Sequence, residues 1–260
     1  MTDILHGPIG FFDILGYQSI LENNKTEDEM NNAVVNVLEI INEIESIEFS
    51  QYKIYDTEKE KANSIDHLVK RLVFSDTIIL SLDLSSDLVK NKKIHKDTLW
   101  HIFIKSCGKL YWHMFSKGFP LRGAISFGKY IIQGNSFVGL PIIEAYKLSN
   151  KLDLSACVLT GDVAQKISGC KYAMREDYPI EYLVPTKEGD ERLFVLNSNP
   201  CNQDKDIREQ VLSSFWKHNK DIPISVKSKV DNTVQWLTYL RMTQLKTADQ
   251  SSQQVTLMDV

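Results

Sequence analysis

Two apolar runs in this chain each carry an aspartate, and that limits what the chain can fold into. The first is FFDILGY, within His6 to Tyr17. Ile9 to Phe12 has the composition of a buried strand, which ends on Asp13 and turns through Gly16 toward a helix. The second is RLVFSDTIILSL, Arg71 to Leu82, which reads as one strand with Asp76 in its middle. A buried carboxylate must be hydrogen-bonded, paired or metal-bound, because alone it is too costly. For Asp13 by itself, a cap or turn role is the ordinary explanation. For Asp76 it is pairing with a Lys or Arg. Two acids in two hydrophobic strands suit neither a solvated face nor a plain core. They suit hard divalent cations, which take oxygen ligands and are held by one or two carboxylates plus substrate phosphates.

The rest of the chain supplies a frame for such a site. Thr26 to Ile47 has helical spacing, with Val34, Val37, Leu38, Ile41 and Ile44 on one face and Thr26 as N-cap. Phe49 to Lys70 is charged and irregular and reads as an exposed loop. A long helix lies within Leu84 to Lys117, with Leu99, Ile102, Phe103, Cys107 and Tyr111 as its stripe. Gly118 and Pro120 end it. A strand over Leu121 to Phe127 follows, then a hairpin turn at Gln133-Gly134-Asn135 and a helix over Pro141 to Lys151 with Pro in its first turn. Ser155 to Leu159 is a strand, Gly161 to Ser168 a short helix, and Tyr182 to Val184 with Arg192 to Leu196 a closing hairpin. This order predicts an α+β fold, a mixed sheet with helices on one face. Residues 1–200 form the main domain, 201–250 a helical extension in which Trp236, Leu237 and Leu240 pack, and 251–260 a disordered tail.

Composition excludes several classes. The net charge of -4 argues against coating a nucleic acid or a membrane surface. No apolar stretch approaches the roughly 18 residues that cross a bilayer, and no basic-then-apolar leader is present, so a cytoplasmic protein is expected. The four cysteines include no CxxC pair, which speaks against zinc; Cys107 and Cys157 lie in apolar surroundings as buried thiols. The six histidines have no metal spacing, and His101 and His113 read as packing or surface residues.

Taken together, FFDILGY, FSDTI, LRGAISFG (Leu121 to Gly128) and GLPIIEAYKL (Gly139 to Leu148) resemble, in order and spacing, the motifs of the class III nucleotidyl cyclases. The resemblance covers about residues 7 to 165 and is strongest toward the bacterial pyrimidine cyclases of anti-phage defence, the Pycsar type. It implies a ferredoxin-like mixed sheet with helices packed on it. It implies two divalent metal ions, Mn²⁺ or Mg²⁺, bridged by Asp13 and Asp76, with the Ile14 carbonyl as a further ligand. The amides of Leu15, Gly16 and Tyr17 would cradle phosphate oxygens, and Arg122 would contact the β- or γ-phosphate. For Arg122 the alternative is a surface salt bridge of little energetic weight.

The resemblance also exposes departures. The purine cyclases carry an Asn and an Arg four residues apart on the helix after the hairpin; this chain has Ile143 and Lys147 there. Lys147 keeps the charge without the fork, and Ile143 keeps nothing polar, so either Glu144 or Asn150 helps to hold the ribose or turnover is slow. The two base-reading positions fall at Leu72 and Ser136, which fit neither purine code and suit a pyrimidine, with uracil and cytosine both open. The implied protein is a cyclase of UTP or CTP, a homodimer with composite active sites. Asp13 and Asp76 would come from one subunit and Leu72, Ser136 and Lys147 from the other, and a phage component is a candidate trigger. A non-catalytic nucleotide-binding or dimerisation module is the alternative, and a purine cyclase with an unusual pocket a weaker third.

Overall fold

The computed structural model describes residues 4–46, 53–55, 62–64, 68–85, 95–134, 136–173, 175, 178–220 and 224–258. Its centre is a mixed sheet. In chain order the first elements are β1 (Ile4–Ile14), α1 (Tyr17–Asn23), α2 (Glu27–Ser46), a small pair β2 (Lys53–Tyr55) and β3 (Ala62–Ser64), then β4 (Val69–Phe74) and β5 (Thr77–Leu82). They are followed by α3 (Lys96–Ser116), β6 (Leu121–Gln133), β7 (Ser136–Gly139), α4 (Leu140–Lys151), β8 (Cys157–Leu159) and α5 (Gly161–Ser168). The chain continues through β9 (Ile180–Thr186), β10 (Gly189–Val195), α6 (Ile207–Trp216) and α7 (Ile224–Met258). The strand order is β4-β5-β1-β6-β8-β10-β9, with β7 paired to β6 beside that path. β6 and β8 run parallel, as the crossover through α4 requires, and the other neighbours are antiparallel.

The expected α+β class holds, with three differences of detail. β1 starts at Ile4, five residues before the apolar run that announced it. His6, Gly7 and Pro8 look like strand breakers, yet all three stay paired with β6, and the ladder to β5 begins only at Ile9, next to Pro8 with its missing N–H. The run Arg71 to Leu82 is not one strand. It is a hairpin, β4–β5, whose two-residue turn is Ser75 and Asp76, with Phe74 opposite Thr77. Ser75 takes a left-handed backbone (φ 55°). Ser and Asp serve a tight turn without Gly or Pro, and apolar residues on both sides hid the break. Asp76 therefore stands at a hairpin tip and not in the middle of a strand.

Helices also cover both faces of the central strands rather than one. Successive residues point to opposite sides of a strand. Phe12 and Gly10 look toward α3, where Cys107 lies beside Gly10. Phe11 meets Tyr146 of α4 edge to face at 5.4 Å, and Glu144 of α4 accepts from Ser126 at 2.7 Å. On the α3 side Trp100 lies against Phe127 at 5.6 Å. The predicted α3 stripe of Leu99, Ile102, Phe103, Cys107 and Tyr111 is buried throughout. The helix ends at Gly118 (φ 89°), where the Phe119 amide reaches back to the Met114 carbonyl at 2.8 Å.

α2 is capped as expected. Thr26 accepts from the Glu29 amide and Glu29 accepts from the Thr26 amide, a reciprocal box. Its stripe does not face inward where it is described: Val34 and Leu38 are exposed, and the side chains of Val37, Ile41 and Ile44 lie outside the described residues. Much of the Phe49–Lys70 loop lies outside them too. α6 and α7 pack on the sheet domain. Thr233 accepts from the buried Ser155 amide at 2.8 Å, and Trp236, Leu237 and Leu240 are buried. α7 continues through Ser251 to Met258, where a tail was expected. All four cysteines are free and buried.

Gly7 shows how tightly β1 is threaded. A Cβ there would fall 1.9 Å from the Leu82 carbonyl oxygen, and the Leu84 amide bonds to the His6 carbonyl at 2.9 Å. Gly7→Ala should cost about 1–3 kcal/mol, the usual range for overpacking against atoms that cannot move aside. Gly161→Ala, where nothing lies within 4 Å, should be neutral within about 0.5 kcal/mol. Urea denaturation of the two variants measures the difference, and equal midpoints would count against this packing.

Candidate active site

Three separate segments meet at one end of the central strands. Asp13 is the next-to-last residue of β1, and Arg122 the second of β6; the two are directly opposed in the ladder. The Asp76 turn lies on the other flank, tied down by the Ile14 amide, which donates to the Asp76 carbonyl at 2.9 Å. Arg122 Nη2 donates to Asp13 Oδ2 at 2.6 Å and to Asn150 Oδ1, from the end of α4, at 2.8 Å. This is no surface salt bridge: Arg122 is 8% exposed.

The electrostatics of the corner are those of a crowded carboxylate pair. Burial is the main cause that lifts the Asp13 carboxyl above its ordinary range. Arg122 pulls it back down, and the neighbouring Asp76 pushes it up both as a like charge and as a hydrogen-bonding neighbour. Two carboxylates thus converge with one guanidinium between β1 and α4. Among the described residues no group of three or more His, Cys, Asp or Glu side chains gathers as a metal cage. Two carboxylates from hairpin tip and strand end still fit a hard divalent ion whose remaining ligands come from a phosphate-bearing substrate.

The structure treats the other expected residues unequally. The Leu15 amide is not free for a phosphate, because it donates to the Pro120 carbonyl at 2.9 Å. Gly16 takes a left-handed conformation (φ 79°) at the head of α1, and the Gly16 and Tyr17 amides carry no hydrogen bond among the described residues. Lys147 and Ile143 sit on the exposed side of α4, away from its buried line of Pro141, Ala145 and Ser149. Among the described residues no hydrogen bond or ion pair joins them to Asp13, Asp76 or Arg122 of the same chain. Leu72 is half-buried on β4, opposite Ile79, and Ser136 is exposed at the start of β7. His101 is buried and stacks on Tyr172 at 4.4 Å, and His113 pairs with Glu43 at 3.2 Å, both apart from the site.

One neighbour of the site has no signal in the sequence. Lys220, in the polar stretch after α6, is 4% exposed, and its stem lies against Gly16: a Cβ on Gly16 would meet Lys220 Cδ at 2.9 Å. Its Nζ donates to the Gly118 carbonyl at 2.6 Å and the Ser214 carbonyl at 3.1 Å. The preceding His218 (φ 64°) and Asn219 (φ 56°) are both left-handed, and Asn23 of α1 donates to the Asn219 carbonyl at 2.9 Å. A lysine inside a KHNKD run looks solvated from sequence, and only the tertiary fold buries it.

No family model and no curated protein matches the chain. Solved structures with similar folds include a bacterial light-regulated adenylyl cyclase, 11% identical, with 94% of this chain and 59% of that one covered at a TM-score of 0.45. This chain therefore spans less than two thirds of that protein's length. A second is the catalytic core of a rhodopsin-guanylyl cyclase with converted specificity in complex with ATPαS, 11% identical, covering 75% and 97% at a TM-score of 0.46. A third is from adenylate cyclases of Trypanosoma brucei in their monomeric state, 10% identical, covering 74% and 89% at a TM-score of 0.40. Each similarity is distant. Among the described residues no helix is long and apolar enough to cross a membrane.

Burial, reinforced by the charge of Lys217, pushes Lys220 down from the ordinary lysine value of 10.5 to about 7. The folded state then sheds a proton that the unfolded chain keeps, so folding stability should rise with pH from about 7 toward 10. Lys220→Met should remove that part of the rise. Urea midpoints of both proteins at several pH values across the window test this, and parallel pH profiles would count against it.

Proposed function

We propose that this chain is a metal-dependent nucleotidyl cyclase acting on a pyrimidine nucleoside triphosphate, UTP or CTP, to give the 3′,5′-cyclic monophosphate and pyrophosphate. The observation that carries this reading is the convergence of Asp13, Asp76 and Arg122 from three distant segments on one corner. Two carboxylates beside a buried guanidinium suit a substrate that brings both a phosphate and a bound divalent cation. In the proposed reaction the ribose 3′-oxygen bonds to the α-phosphorus as the bond to pyrophosphate breaks, and the hydroxyl proton passes to solvent. Bound at the two carboxylates, divalent cations would supply charge neutralisation and a more acidic 3′-hydroxyl. Asp13 and Asp76 would be their ligands together with the Ile14 carbonyl. Arg122 would grip a phosphate bidentately, and the free Gly16 and Tyr17 amides would add donors.

Lys147, Leu72 and Ser136 act from the second subunit in this reading. Their exposed or half-buried positions, apart from Asp13, support that arrangement. The apolar surface beside Ser136 and Lys147 offers a face for such a contact: Val138, Leu140, Ile143 and Tyr146 are between 51% and 65% exposed. The resemblance adds the biological part, a cytoplasmic second-messenger enzyme of anti-phage defence awaiting a phage-derived trigger.

One observation favours the alternative of a non-catalytic module. Exposed Ile143 offers no polar group toward a ribose, and Arg122 already occupies Asp13. Incubating the protein separately with ATP, GTP, CTP and UTP in Mn²⁺, with products read by mass, separates the readings. A cyclic pyrimidine nucleotide that disappears in Asp76→Ala is the expected result. A cyclic purine product would overturn the pyrimidine assignment, and nucleotide binding without any product would favour the module. The shared site has its own check: mixing inactive Asp13→Ala and inactive Lys147→Ala proteins should restore about a quarter of the activity, since one of the two mixed sites is whole and half the dimers are mixed. No recovery on mixing would count against composite sites.

A further inference from the structure

Arg122 occupies one oxygen of the Asp13 carboxylate, a group proposed as a metal ligand. Its Nη2 is 2.6 Å from Asp13 Oδ2 and 2.8 Å from Asn150 Oδ1, so both bonds fall on one nitrogen. The pairing is built into the sheet, because strand register sets Asp13 directly opposite Arg122. Asn150 pins the guanidinium from α4, a third element. The arrangement is nevertheless incomplete. Arg122 Nε is buried and has no hydrogen-bond partner among the described residues, although a guanidinium carries five donors in a fork. Asp76, beside Asp13, adds a second negative charge that this single guanidinium must also offset. A buried donor left unpaired gains by finding an acceptor.

From this geometry we infer that Arg122, held by Asn150, is the resident counterion of Asp13, and that it changes partners when the site fills. The inference rests on the cyclase reading of the corner. Asp13 turns from the guanidinium to a divalent cation, and the guanidinium turns to a phosphate oxygen of the nucleotide. No covalent bond is made or broken. Before the exchange, two neighbouring carboxylates share one guanidinium. After it, the carboxylates face the divalent cation, and the guanidinium, with its full fork, faces the triphosphate. Asn150 is then a positioning residue: it sets how firmly Arg122 is kept on Asp13.

Two consequences separate this role from that of a simple phosphate anchor. The carboxylate pair is partly neutralised without metal, so the fold does not need metal to tolerate it. A cation entering alone must compete with a positive charge already in place, so it binds weakly until a triphosphate draws Arg122 away. Metal and nucleotide therefore favour each other's binding, and by linkage the coupling is reciprocal. A phosphate anchor that merely rests near Asp13 gives no such gain when it is removed.

The test is Mn²⁺ binding in the absence of nucleotide, read from the paramagnetic resonance signal of the free ion, together with melting temperature. The proteins are the wild type, Arg122→Met, Asn150→Ala, Asp76→Asn and the Arg122→Met/Asp76→Asn double variant. Asp76→Asn removes a proposed metal ligand without orphaning Arg122. Arg122→Met should bind Mn²⁺ about tenfold tighter than the wild type, the scale expected for removing one adjacent like charge. Its metal-free melting temperature should fall, and Mn²⁺ should raise it more than it raises that of the wild type. Asn150→Ala should move both quantities in the same directions by less, and it carries the comparison if Arg122→Met does not fold. A gain of affinity is not something a damaged fold produces. Affinity no higher than wild type in Arg122→Met and Asn150→Ala, with binding still lost in Asp76→Asn, would overturn the exchange and leave the metal site standing. Binding that survives Asp76→Asn, or is absent from every protein, would overturn the metal site and the exchange with it.

Discussion

The ion pair between Asp13 and Arg122 depends on the longest ladder of the sheet, and the candidate site depends on the pair. All of β1 lies against β6, and the pair stands one step from the end of that ladder. A buried ion pair is poor evidence of stabilisation, since desolvation offsets most of the attraction and apolar residues often serve a core as well or better. Its presence at the junction of two apolar strands therefore asks for another reason. The neighbouring elements supply one. The Asp76 turn is fastened to Ile14, the start of β6 is fastened to Leu15 through Pro120, and α4 reaches in with Asn150. Each fastening uses backbone or side-chain groups that hold the corner in place and leave the carboxylates facing one another.

Much of this was legible from local pattern, and what was not shares one cause. α3 could be read because its stripe, its terminating Gly118 and Pro120 all agree, and α5 because its bounds follow Thr160 and Gly169. Asp13 and Asp76 could be singled out because acids in apolar runs are costly. The hairpin between Phe74 and Thr77 could not, since Ser75 and Asp76 break a run that is apolar on both sides without any glycine to mark the break. The partner of Arg122 could not either. Alternation says which face a residue takes, but register decides which residue stands opposite, and register is a property of two strands. Lys220 is the extreme case: every local feature of its stretch says solvent, and only the packing of Gly16, Gly118 and Ser214 around it says otherwise.

Lys220 also changes the standing of the chain beyond residue 200. α7 supplies Thr233 to the Ser155 amide and buries Trp236 against Tyr182 at 4.8 Å, while the stretch before it lies beneath the Gly16 turn. The Ser155 hydroxyl in turn donates to the Leu121 carbonyl, one residue from Arg122. The extension thus touches the site from two directions, through the Gly16 turn and through the start of β6. A segment that merely covered the domain would leave those contacts to water.

α4 joins the site to the surface that the proposed dimer would cover. Its inward residues are spoken for: Asn150 holds Arg122, Glu144 bonds to Ser126, and Ala145 and Ser149 are buried. Its outward residues include Ile143 and Lys147, and Tyr146 does both, resting on Phe11 with half its surface bare. Lys147 stands three residues before Asn150, so about one turn of α4 separates the two. In the proposed composite dimer Lys147 is the residue that α4 would lend to the other site, while Asn150 holds Arg122 in its own.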